Sequence, residues 1–78
     1  MTESASPHIA APRITVLAVQ PGDPPFRLVE IDGDVVCAAT SMTDVLATAL
    51  AAGIMVHDLD DPDVVRWVGG GKYTWRLH

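Results

Sequence analysis

The spacing of apolar positions changes period along the chain, and each change marks an element. From Arg13 to Val19, RITVLAV is a β-branched run suited to a strand with at least one buried face. QPGDPP follows, where Pro21-Gly22 favours a turn and two further prolines stop pairing. Phe26 to Ile31 predicts a second strand and Val35 to Ala39 a third. Asp32-Gly33 between them suits a two-residue hairpin turn, since both residues tolerate positive φ. That register sets Val29 opposite Val36 and Leu28 opposite Cys37, with apolar pairs on both faces.

From Ser41 to Gly53 the period becomes helical. Met42, Val45, Leu46, Ala49 and Leu50 form one stripe. Ser41 is an N-cap, Asp44 stands at capping-box spacing, and Gly53 is a left-handed stop that lets Ile54 fold back. So short a helix needs a surface to lie on, and Leu46 and Leu50 are expected to anchor it. Ile54 to Val56 reads as a short strand. Asp61-Pro62 offers a helix start, but Val64-Val65 disfavours helix and the residues beyond Gly69-Gly70-Gly71 alternate. A hairpin around the glycines pairs Trp67 with Tyr73 and Val65 with Trp75, and sorts apolar from basic side chains. The expected fold class is therefore α+β: one domain over residues 13–78, antiparallel strands in the order β-β-β-α-β-β, one helix on the sheet. Residues 1–12 read as a flexible tail.

Composition narrows this picture. Seventy-eight residues, 49% of them apolar, make one small globular core. Much of the apolar content is Ala and Val, so Phe26, Leu28, Ile31, Leu46, Leu50, Trp67, Tyr73 and Trp75 are expected to fill it. Residues 1–63 carry ten acids against Arg13 and Arg27, while residues 64–78 carry Arg66, Lys72 and Arg76 with no acid. The net of −5 argues against general binding to nucleic acid or anionic membrane.

Little in the chain resembles a catalytic or metal centre. Cys37 is single and lies in an apolar run, which excludes an internal disulfide. His8, His57 and His78 are far apart, and His57 and Asp58 as strand neighbours would face opposite ways. The acidic run Asp58 to Asp63 fails the calcium-loop pattern, with Pro62 at a ligand position and Asp63 where glycine is needed. GGGK lacks the spacing of a phosphate loop. No enzyme, metal or cofactor is therefore expected.

The expected function is a non-enzymatic interaction module, a regulator, adaptor or inhibitor that binds a protein partner through the C-terminal hairpin. Its site would be Arg66, Lys72 and Arg76, with Trp67 and Trp75 either core or anchor. A homodimer would also relieve the thin core. The alternative is a small nucleic-acid-binding domain, which requires aromatics and bases on one exposed face. The Ala, Val, Asp and Arg bias suggests a bacterial source. With no stretch to span a bilayer and no signal-peptide pattern, a cytoplasmic location is expected.

Overall fold

The computed structural model describes residues 12–77; most of the expected tail, His8 included, and His78 lie outside them. The elements follow in the order β1 (Ile14–Gln20), β2 (Phe26–Ile31), β3 (Asp34–Ala39), α1 (Met42–Ala51) and β4 (Val65–Trp67). They form an α+β fold whose four-stranded sheet runs β3-β2-β1-β4. The β1–β2 and β2–β3 pairs are antiparallel, and β4 is parallel to β1. No helix among the described residues is long and apolar enough to cross a membrane.

The first hairpin turns where expected. Asp32 and Gly33 take φ of 53° and 89°, and Arg13 braces the turn with two hydrogen bonds to the Asp32 carboxylate. Beyond Glu30–Val35 the expected register fails. A bulge at Val36 shifts the pairing, so Val29 meets Cys37 and Leu28 meets Ala38. The extra residue matters because strand side chains alternate between faces. The shift puts Cys37 and Ala39 in line with Val29 and Arg27, so small side chains meet the crowded centre of the sheet.

The helix ends are built as their residues dictate. The Ser41 side chain accepts from the Asp44 amide, and the Asp44 carboxylate accepts from the Thr40 N–H and hydroxyl, each at 2.9 Å. At the other end Gly53 has φ of 77°, its N–H donates to Leu50, and Ile54 N–H donates to the Ala49 carbonyl. This double bond pattern is the Schellman cap, and it returns Ile54 to the core. That return corrects the expected stripe. Val45 and Ala49 are buried, Leu46 is half-buried, and Leu50 is 64% exposed. Ile54 joins Ala49 in the core that Leu50 was expected to fill.

Three rows of side chains cross the helix-covered face. Ile31, Ile14 and Val65 form one, Cys37, Val29, Val16 and Trp67 the next, and Ala39, Arg27 and Val19 the third. The core is thus largely β-branched, and only Ile31 of the eight large residues expected there is buried. Phe26, Leu28, Leu46, Trp67 and Trp75 are half-buried, and Tyr73 is exposed.

The C-terminal half departs furthest from expectation. Ile54 to Val56 is not a strand, and there is no second hairpin among the described residues. A turn at Asp61, with Val64 N–H bonded to the Asp61 carbonyl at 3.0 Å, leads into β4. With β2 and β3 on its other side, β1 has one free edge, and β4 takes it. The connection from β3 through α1 makes β4 parallel, as a crossover allows.

Two outcomes follow for stability. Val45→Ala should cost about 2 kcal/mol in urea melts, whereas Leu50→Ala should stay within about 0.5 kcal/mol. The Asp44 carboxyl is held below its ordinary range by the Thr40 N–H and then the Thr40 hydroxyl. A lowered pKa stabilises above the unfolded value of about 4 and is lost as pH falls through the folded value. Acid melts should show Asp44→Asn losing that part of the pH dependence, with the wild type the more stable above pH about 4.

Candidate partner-binding surface

The surface expected to act is framed by a residue that the sequence reading passed over. Arg27 is fully buried on the apolar face of β2, between Val19 and Ala39. Among the described residues no carboxylate pairs with it. Backbone carbonyls take that place. Nε donates to Leu17 at 2.7 Å, one terminal nitrogen to Gly71 and Thr74 at 2.9 and 2.8 Å, the other to Val68 and Gly70 at 2.9 and 2.8 Å. A guanidinium has five N–H groups, so every donor is satisfied. Trp67 and Trp75 present their faces, with ring centroids 5.1 and 5.5 Å from the guanidinium carbon, and stand edge-to-face to each other. Burial pushes the Arg27 pKa down from its ordinary value; arginine side chains nonetheless stay protonated in proteins.

The glycines serve this cage rather than a hairpin loop. Gly69 and Gly70 take φ of 74° and 125°, which L side chains rarely adopt. A Cβ on Gly69 would come within 2.7 Å of Ala18 Cβ, and one on Gly70 within 2.7 Å of the Thr74 methyl. The β1 register breaks between Val16 and Val19, the stretch where Leu17 turns its carbonyl to Arg27. Sequence alone held a faint signal of this: β2 alternation sets Arg27 in line with Val29 and Ile31. It also sets Glu30 in line with Phe26 and Leu28, so neither face was marked as the buried one.

The expected site residues are accordingly dispersed. Trp67 and Trp75 are half-buried against Arg27, and their ring N–H groups donate to the Leu59 and Lys72 carbonyls at 2.7 and 2.6 Å. Arg66 is exposed on β4 beside Thr15, in the opposite sense to Trp67. Lys72 pairs with Asp60 at 2.6 Å, which raises its pKa, chiefly through that hydrogen bond. Arg76 is exposed and lines a shallow depression with Tyr73, Thr74 and Trp75. No single basic face forms, because the strand pairing that would have sorted these residues is absent.

A different surface is assembled instead. Tyr73 is 78% exposed, with Lys72 Nζ 5.3 Å from its ring centroid. Beside it opens a cleft of about 340 Å³, lined by Met42, Leu46, Val56 and Leu59 together with His57, Asp58 and Lys72. The acidic run next to it is used locally: Asp58 and Asp61 carboxylates accept from the Asp60 and Asp63 amides. Among the described residues no three His, Cys, Asp or Glu side chains gather as a metal would require. Cys37 is half-buried on β3, far in sequence from any histidine.

A scan against protein-family models and searches of curated proteins and solved structures give no significant match.

The cage has a direct consequence for variants. Arg27→Lys can supply at most three donors, so at least two of the five part-buried contacts to carbonyls are lost, at about 3 kcal/mol or more in all. Gly69→Ala should destabilise by a similar amount, through both clash and strain. Gly71→Ala, with open space around it and no positive φ, should be neutral or gain about 0.4–1 kcal/mol. Denaturant melts of the three variants check the order; a Gly71→Ala more damaging than Gly69→Ala would contradict it.

Proposed function

We propose that this chain is a non-catalytic protein-binding module whose partner seats on Tyr73 and the cleft beside it. The observation that carries the reading is the 78% exposure of Tyr73 on a segment whose backbone is clamped. Four of the five Arg27 hydrogen bonds go to residues 68–74, so the ring is presented by an ordered frame. An amphipathic aromatic held in place loses little entropy on binding, which is why tyrosine dominates interaction hot spots. The apolar lining of the cleft receives a partner side chain, and Arg76 adds a charged rim contact.

The arrangement favours a protein over a nucleic acid. Stacking on bases needs aromatics and cations on one open face. Here the two tryptophans are turned to Arg27 and Lys72 is turned to Asp60. The acidic charge of the chain opposes phosphate as well.

Tagged wild-type chain and a Tyr73→Ala variant, used for capture from the native cell, test the reading. The wild type should retain a stoichiometric protein. Tyr73→Ala should keep its circular dichroism and bind that protein about thirtyfold more weakly, a loss of about 2 kcal/mol. Arg66→Glu, on the other side of the sheet, should bind as the wild type does. Undiminished capture by a folded Tyr73→Ala, or capture abolished by nuclease, would contradict the reading.

A further inference from the structure

We infer that two copies of this chain join through the free edge of β3, pairing antiparallel about a twofold axis near Val36 and Cys37 to make one continuous eight-stranded sheet. This inference is independent of the partner surface above, which lies on the other side of the helix stripe.

Among the described residues β3 is an outer strand of the sheet, and its six residues leave one row of backbone groups without a strand partner there. Backbone groups in that arrangement are satisfied in full only by another extended strand. The devices that usually blunt such an edge are few here. DVVCAA carries no lysine and no proline, and its one charge, Asp34, stands at the start. The bulge at Val36 is the one such device within the strand. Val35 and Val36 remain 54% and 52% exposed, an unusual state for β-branched residues on a strand with so little else to cover them.

The strand is self-complementary. Twofold pairing sets the larger half, Val35 and Val36, against the smaller half, Cys37 and Ala38, of the second copy. Large then meets small at each cross-strand position. The one charge on the strand does not oppose it: Asp34 falls opposite Ala39 of the second copy, so the two Asp34 carboxylates stand roughly 17 Å apart, at about 3.3 Å per residue. That is about two Debye lengths at physiological salt. The neighbouring helix leaves room. Between β3 and α1 runs an apolar groove of about 620 Å³, whose helical side is Ala47, Thr48, Ala51 and Ala52. Small side chains on that wall let the helix of the second copy approach over the extended sheet.

Sedimentation equilibrium of the full chain, under reducing conditions so that Cys37 stays a thiol, tests the inference over a wide concentration range. The expected result is a reversible species of twice the 8.3 kDa chain mass. Val36→Lys places an edge-blocking charge at the centre of the interface and should weaken association at least about thirtyfold. Its side chain is exposed in the single chain, so circular dichroism should be unchanged; Val35→Lys serves as the second variant should Val36→Lys unfold. Amide exchange should show added protection at residues 34–39 as concentration rises. A chain that stays monomeric throughout overturns the inference, as does a folded Val36→Lys or Val35→Lys that dimerises like the wild type. Neither result bears on Tyr73, whose capture experiment reads a different protein on a different surface.

Discussion

A buried cation with no counter-ion among the described residues holds the C-terminal segment onto the sheet. Arg27 brings a full charge onto the apolar face of the sheet, where an unsolvated ion would cost several kcal/mol. It is tolerated because all five of its N–H groups meet carbonyl oxygens and two indole faces flank the planar group. Four of those oxygens belong to residues 68–74, which form no regular element and of which only the Gly71 carbonyl has a second backbone donor, the Thr74 N–H, within the segment. The requirement is mutual: the arginine needs acceptors, and the irregular segment needs donors. A lysine has too few donors, and its tetrahedral head could not serve oxygens spread around a plane.

This constraint explains which parts of the fold could be read along the chain. The first hairpin, the helix and both helix caps rest on local signals, and Asp32-Gly33, Ser41 and Gly53 act as their types require. The strand register missed by one residue because a bulge leaves no mark in an all-apolar run such as Val35-Val36-Cys37. The final hairpin was a reasonable reading of alternation around three glycines. It failed because the preference for alternation is weak beside the need to cap Arg27. Alternation alone pairs Trp67 with Tyr73 and Trp75 with Val65 across strands; both rings face the guanidinium instead. A long-range demand of this kind, 41 to 47 residues distant in the chain, leaves only the faint local trace of Arg27 in line with Val29 and Ile31.

The same constraint separates structural from free side chains. The aromatic and basic residues that gather near the C-terminus look like one binding surface in the sequence. In the fold Trp67 and Trp75 are part of the cage, Lys72 is paired with Asp60, and Tyr73 stands out alone beside the cleft. Rigid support beneath an exposed ring is what distinguishes a presented anchor from a loose one. At the opposite end of the sheet, the β3 edge carries none of this support.

Arg27 is charged and held in place, with four of its five N–H groups bonded to the C-terminal segment and the fifth to Leu17. Nitrogen-15 and proton resonances of the Arg27 side chain report on this directly. The account predicts separate signals for all four terminal N–H protons, slow exchange with water, shifts caused by the Trp67 and Trp75 rings, and cross-relaxation to residues 68–74. A single averaged, rapidly exchanging signal for those protons would contradict it.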